Sequence, residues 1–308
     1  MTARPELDSG LVVASHGRHV MVETPEGRRL ICHPRGKKNQ AVVGDRVLWL
    51  ASGDEGTIEK VEPRRNLFYR QDEVRTKSFA ANLDQVLILV AAEPEFSESQ
   101  LARALIAAEA ERIRPLIVLN KRDLAGPFAR AWARLAPYAR MGYAVLPLSL
   151  AGQEPDSGLP ALQEELHHRA TLVLGPSGAG KSTLINRLVP GAQAQTGEIS
   201  TALNSGKHTT TSTSWYWVDE AHQTALIDSP GFQEFGLQHI EAAQLANLMP
   251  DLRAHAGACR FYNCSHLHEP GCGVTTAVDQ ETGGTGISPS RYKIYSELHA
   301  ELSQAPRY

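Results

Sequence analysis

The chain has 308 residues, 42% of them apolar and 21% charged, with a formal net charge of −3. These values describe an ordinary globular chain of two or three domains and exclude a polycation. No window holds the roughly 18–20 apolar residues of a membrane helix, and the start, MTARPELDSG, lacks the apolar core of a secretory signal. A cytoplasmic location without membrane contact is therefore expected.

Residues 9–62 read as short strands broken by turns: GLVVASHG, HVMVETPEG, RRLICHP, DRVLWLASGDEG and TIEKVEP. Apolar–polar alternation with Gly and Pro at the breaks predicts a small all-β unit. Five such strands suit an OB-type barrel, a fold often used on nucleic acid. Residues 1–75 hold 13 Lys+Arg against 11 Asp+Glu, so this part is only mildly basic. Its basic residues cluster at Arg35, Lys37 and Lys38 and at Arg64 and Arg65. These are candidate RNA phosphate contacts, although such surface charges are as often merely solvated.

From about residue 80 the pattern changes to apolar runs ending in polar residues: DQVLILVAA, RPLIVLNK, YAVLPLSL, ATLVLG and QTALIDSPG. A helical stretch over 98–112 separates the first two. Strands alternating with helices predict a parallel α/β sheet covered on both faces. From 236 onward the chain reads as helical, then Cys/His-rich, then helical again over 290–303.

GPSGAGKS at 175–182 follows an apolar strand and matches the phosphate-loop pattern in its required context. Gly175 and Gly180 let the backbone approach phosphates closely, and the next helix's N-terminus faces the anion. Lys181 is expected on the β- and γ-phosphates and Ser182 on Mg²⁺. NKRD at 120–123 ends an apolar strand, where open α/β sheets bind ligands. Asp123 would accept from the N1–H and N2 amino group of guanine, a pair that adenine does not present. Asn120 suits the O6/N7 side of the base, the Lys121 stem would pack along it, and the Ser149 backbone N–H is placed to meet O6. An ATP-dependent nucleic-acid enzyme conflicts with Asp123.

DSPG at 228–231 ends a further strand. Asp228 would hold Mg²⁺ through water, and the Gly231 N–H would sense the γ-phosphate. One of Thr209, Thr210 or Thr211, with Thr210 favoured, would complete the Mg²⁺ shell; a Ser/Thr-rich loop without a ligand role is the alternative. Phe232 stands where Ras-like enzymes carry a water-orienting Gln, so slow intrinsic turnover is expected. His208 is the candidate to orient the attacking water, beside Lys181 as the second catalytic group. A solvent-exposed loop histidine is the other reading of His208.

Cys259, Cys264, His266 and Cys272 lie within fourteen residues. Three thiolates and one imidazole suit a closed tetrahedral Zn²⁺ site, whose binding would supply the folding free energy of a polar, turn-rich stretch. His268 is not needed as a ligand.

The base-reading loop thus precedes the phosphate loop, and the Asp loop runs directly into the C-terminal region. Such an order leaves a packed sheet intact because termini commonly lie close together. It points to a γ-phosphate switch wired to an appended module. The succession NKRD, PLSL, GPSGAGKST, GKHTTT, DSPGF and C-x₄-C-x-H-x₅-C resembles the RsgA (YjeQ) family of circularly permuted GTPases, with SHGR and the barrel strands resembling its OB domain. The resemblance implies a multidomain α/β fold: an OB-fold RNA-binding domain over 1–72, a circularly permuted GTPase domain over 73–235 and a helical zinc-binding domain over 236–308. It implies GTP contacts from Asn120, Lys121, Arg122 and Asp123 and from Gly175, Pro176, Ser177, Gly178, Ala179, Gly180, Lys181, Ser182 and Thr183. It also implies the four zinc ligands named above and a hydrolytic role for His208. The function implied is a monomeric, ribosome-stimulated GTPase that binds the 30S subunit and 16S rRNA and assists late small-subunit maturation. A GTP-gated RNA- or protein-binding module, with hydrolysis incidental, is the alternative.

Overall fold

The computed structural model describes residues 7–16, 19–36, 40–151, 157–189, 191–192, 213–230, 232, 235–278 and 286–304. The expected five strands form: β1 (Asp8–His16), β2 (His19–Glu23), β3 (Arg29–Pro34), β4 (Arg46–Ser52) and β5 (Glu55–Val61). They pair in the order β1-β2-β3-β5-β4, and a β1–β4 pairing closes the barrel. Alternation turns Leu30, Cys32, Val47, Trp49 and Ile58 inward, where each is buried. The fully buried Asp45 carboxylate accepts two hydrogen bonds from Arg64 at 2.8 Å and one from the Val42 N–H.

A hairpin of β6 (Leu67–Gln71) and β7 (Thr76–Ala81) follows. It straddles residue 72, the expected border of the first domain. Phe68 and Phe79 of the hairpin pack with Phe235 from the far side of the chain.

Then come β8 (Gln85–Ala91), α1 (Glu98–Ala110), β9 (Arg114–Asn120), α2 (Ala125–Arg140), β10 (Ala144–Pro147), α3 (Leu159–Leu166), β11 (Ala170–Leu174), α4 (Lys181–Leu188), β12 (Ser214–Trp217) and β13 (Ala225–Asp228). The Ser97 hydroxyl caps α1 by accepting from the Gln100 N–H. β10, β9, β8, β11 and β13 lie side by side and parallel, in that order. Every residue of β8 is buried, as a central strand covered on both faces requires. Leu87 and Leu89 face α3 and α4, whereas Val86, Ile88 and Val90 face the opposite core with α1. Strand order reverses between β8 and β11, and in such sheets the crevice at the carboxyl ends beside that point binds ligands.

β12 runs antiparallel to β13 and also pairs with β1, joining barrel and sheet into one eleven-stranded sheet among the described residues. Beyond the sheet lie a 3-10 segment (Ala242–Leu248), α5 (Pro250–Ala256), α6 (Gly273–Ala277) and α7 (Pro289–Leu302). Arg291 of α7 forms a buried two-pronged ion pair with Asp251 of α5, at 2.9 and 3.0 Å. Its guanidinium also lies 5.2 Å from the ring centroid of Tyr138 on α2, which fastens the last helix to the sheet layer. No helix among the described residues is long and apolar enough to cross a membrane.

Candidate functional site

The phosphate loop leaves the carboxyl end of β11 and enters α4 at Lys181. The base-reading loop leaves β9. One strand, β8, separates β9 from β11, so the loops start two strand spacings apart, roughly 10 Å. They meet through a side chain. Asn120, 3% exposed, donates from Nδ2 to the Ala179 carbonyl at 2.9 Å. Gly180, at φ +99°, makes room for this bond: a Cβ there would lie 2.5 Å from Asn120 Nδ2. Gly175 likewise lets the loop pass the Leu89 carbonyl, which a Cβ would approach to 2.5 Å. Besides ending β9, Asn120 therefore ties the two loops together.

Lys121 turns the base-reading loop at φ +68°, and the Arg122 N–H donates to the Leu148 carbonyl at 3.0 Å. The Ser149 hydroxyl donates to Asp123 Oδ1 at 2.9 Å. The Ser149 backbone N–H, expected to face guanine O6, donates instead to the Ser157 carbonyl at 2.7 Å. The chain beyond β10 folds back onto residue 157, so it is the hydroxyl of Ser149 that meets the Asp123 carboxylate.

On the phosphate side, Lys181 donates to Asp228 Oδ1 and, at 3.3 Å, to the Ser229 carbonyl. Their side chains are 17% and 5% exposed, so the ion pair is largely withdrawn from water. Ser182 and Thr183 occupy the first turn of α4, while Pro176, Ser177 and Gly178 form the loop itself. Phe232 is buried and packs with Phe235. Its ring belongs to the core and orients no water. His208, Thr209, Thr210, Thr211 and Gly231 lie outside the described residues.

Cys259, Cys264, His266 and Cys272 converge: one donor atom from each lies within 4.8 Å of all the others. His266 Nδ1 is 3.4 Å from Cys259 Sγ and 3.5 Å from Cys272 Sγ. His266 itself takes a left-handed backbone, φ +59°, which folds the turn over the thiols. Two α7 tyrosines hold that turn. Tyr292 donates to the His266 carbonyl at 2.8 Å and Tyr295 to the Ser265 carbonyl at 2.6 Å. Glu269, which sequence reasoning passed over, accepts from the N–H groups of Ser265, Leu267 and His268. A carboxylate four residues after a Ser in a Cys/His turn was its only available signal. A set of three soft thiols and one imidazole, partly buried and mutually close, fits a closed metal site.

Of the five basic residues expected on RNA, Lys37 and Lys38 lie outside the described residues. Arg35 pairs with Glu59 and Arg65 with Asp84, with arginine side chains 69% and 58% exposed. Arg64 is 28% exposed and bound to the buried Asp45, so it serves the barrel first. A cleft of about 550 Å³ at the seam of barrel and sheet is lined by Arg46, Arg64, Arg65, Trp217 and His222 and holds none of the nucleotide loops.

A family model described as RsgA GTPase matches residues 61–238. A relative from Variovorax paradoxus (strain S110), a small ribosomal subunit biogenesis GTPase RsgA, is 73% identical over 300 residues, covering 97% of this chain and 94% of its own. The chain belongs to the RsgA GTPase family. As a member it is a GTP hydrolase with a circularly permuted fold. A relative of the same name from Paraburkholderia xenovorans (strain LB400) is 51% identical, with 97% and 94% covered. Among solved structures, YjeQ from Thermotoga maritima is similar at TM-score 0.74 and 29% identity, over 97% of this chain and all of that one. YloQ, a circularly permuted GTPase, is similar at TM-score 0.70 and 25% identity, over 100% and 99%. The similarity to these structures thus spans the barrel, the parallel sheet in permuted order and the C-terminal segment together.

Proposed function

We propose that this RsgA-family GTPase binds the small ribosomal subunit, hydrolyses GTP in response and assists the subunit's late maturation. The observation that carries the nucleotide part is the Asn120–Ala179 hydrogen bond, which makes the base-reading and phosphate loops walls of one site. The ribosomal part rests on the relatives, which are named for small-subunit biogenesis.

In this reading Asp123 reads guanine, Asn120 and Lys121 flank the base, and residues 175–183 cradle the phosphates. Lys181 exchanges Asp228 for the β- and γ-phosphate oxygens. The released Asp228, with Ser182 and Thr210, offers hard oxygens of the kind Mg²⁺ takes, and such an ion would neutralise charge on the β- and γ-phosphates. Water attacks the γ-phosphorus, the bond to the bridging oxygen breaks, and GDP and phosphate leave. His208 orients that water. With Phe232 turned into the core, turnover is slow until the subunit completes the site. Cys259, Cys264, His266 and Cys272 hold one structural Zn²⁺, favoured over disulfides by a reducing cytoplasm. Arg35 and Arg65, whose exposed ion pairs are weak, exchange carboxylates for 16S rRNA phosphates. Lys37 and Lys38 join them. The acting form is a monomer.

The test is GTP turnover with and without purified 30S subunits. The expected result is stimulation of roughly 10²-fold or more, since groups completing such sites from outside act on a scale of about 10³–10⁵. Unchanged turnover would make the chain a nucleotide-gated binding module instead.

A further inference from the structure

The β6–β7 hairpin carries a charge arrangement that folding alone does not explain. Arg70 and Lys77 are directly opposite each other in its ladder, where like charges destabilise a sheet. Neither side chain is fully exposed, and neither forms an ion pair with a carboxylate among the described residues. Arg70 Nε and Nη1 are buried without a hydrogen-bond partner among those residues. Asp72, the carboxylate in the hairpin turn, accepts from the N–H groups of Val74 and Arg75 at 3.0 and 2.7 Å. Those two bonds, helped by the Arg70 charge, hold the Asp72 carboxyl below its usual range. Yet no hydrogen bond among the described residues joins Asp72 to Arg70, and buried donors without such partners are costly.

The place of this charge is informative. Lys77 donates to the Pro230 carbonyl, and its ammonium lies 5.3 Å from the centroid of the Phe79 ring. Lys181 reaches the same segment at Asp228 and the Ser229 carbonyl. Two ammonium groups therefore contact residues 228–230. Burial first, then the Arg70 and Lys181 charges, press the Lys77 pKa below the usual lysine value. The hairpin is also coupled to the chain just beyond the Asp loop. The Gln71 N–H donates to the Gly236 carbonyl at 3.0 Å, and the Gln238 N–H to the Gln71 carbonyl at 2.9 Å. Gly236 fits only without a side chain, since a Cβ would lie 2.4 Å from the Gln71 carbonyl oxygen. Phe235 stacks on Phe79 at 7° between planes.

Among the described residues positive charge is in excess beside the phosphate loop, a place suited to an anion, and the group that separates GTP from GDP is the γ-phosphate. We propose that Lys77 is a γ-phosphate ligand supplied in cis by the β6–β7 hairpin, with Arg70 reinforcing its field from the opposite strand. The inference rests on the GTP reading above and adds a residue to it. Lys77 contributes charge to the γ-phosphoryl oxygens and transfers no proton. Leaving the Pro230 carbonyl for those oxygens would also tell the hairpin, and through it residues 236–238, which nucleotide is bound.

The experiment compares Lys77→Met, Lys77→Gln and Lys77→Arg with the unaltered chain. GDP and a non-hydrolysable GTP analogue are titrated separately, and single-turnover GTP hydrolysis is followed. Lys77→Met keeps the apolar stem beside Phe79. Lys77→Gln keeps a donor for the Pro230 carbonyl and serves also if the Met variant fails to fold. The expected result is GDP affinity within about twofold for both neutral variants, which reports that the guanine site itself is intact. Analogue affinity falls about tenfold and hydrolysis about 10²-fold, the scale of removing one charge-stabilising donor. Lys77→Arg recovers most of both. A Gln variant with unaltered analogue affinity and rate would limit Lys77 to holding Pro230 and overturn the proposal. So would GDP and analogue affinities that fall together. An unaltered chain that binds neither nucleotide would instead contradict the GTP reading.

Discussion

Asp123→Asn is expected to weaken GTP use by roughly 10⁴-fold, the scale by which a site built on a specific hydrogen bond rejects a mismatched ligand. The carboxylate would accept from the N1–H and N2 amino group of guanine. An asparagine amide keeps one acceptor but turns a donor toward the N2 amino group, so one pair becomes donor against donor. Xanthine carries a carbonyl at that position and restores the match. The variant should therefore turn over xanthosine triphosphate in preference to GTP, measured as the ratio of kcat/KM values. The site tolerates the change sterically, because the Ser149 hydroxyl that now donates to Asp123 Oδ1 at 2.9 Å finds the same acceptor in an asparagine. Retained preference for GTP would remove Asp123 from base recognition.

The other large effect belongs to the metal cluster. Cys272 is 2% exposed, and its sulfur also accepts from the Thr275 N–H at the start of α6. Cys272→Ala would thus remove a proposed ligand and a helix cap at once. Structural zinc sites bind with about 10–16 kcal/mol in small peptides, as much as the whole ordinary stability of a domain, about 5–15 kcal/mol. The stretch 257–272 has few buried apolar residues to hold it otherwise. The expected outcome is loss of bound zinc by metal analysis and rapid protease cutting within 257–272. GDP affinity should change little, because among the described residues no hydrogen bond or ion pair joins the nucleotide loops to the cluster. Unchanged metal content and unchanged cutting would show that the four residues do not form a metal site.

Much of this was legible in the sequence because the informative residues announce themselves locally. Gly-rich loops, an Asn-Lys-x-Asp loop at a strand end and Cys/His spacing each carry their chemistry in a few adjacent positions. Strand alternation likewise predicted the barrel, and the helix expected over 98–112 is observed as Glu98–Ala110. What escaped was non-local. Residues 67–81 carry charge at Arg70 and Lys77, where a half-buried strand should be apolar, so the hairpin was not anticipated. β12 is four residues long, and nothing in SWYW says that it will join β1 some two hundred residues earlier. Asn120 was assigned to the base, yet its bond to Ala179 depends on two loops meeting across β8. Ser149 was expected to turn its backbone N–H to guanine O6, but that N–H donates to the Ser157 carbonyl, and the contact of its hydroxyl with Asp123 depends on two loops meeting.

The central claim is that Asp123 and Lys181 grip opposite ends of a single nucleotide. Titration with a fluorescent non-hydrolysable GTP analogue tests it most directly, using the unaltered chain, Asp123→Ala and Lys181→Ala. One analogue should bind per unaltered chain, and each substitution should weaken that same binding at least tenfold. Two independent sites per chain, each lost with only one of the substitutions, would contradict the account.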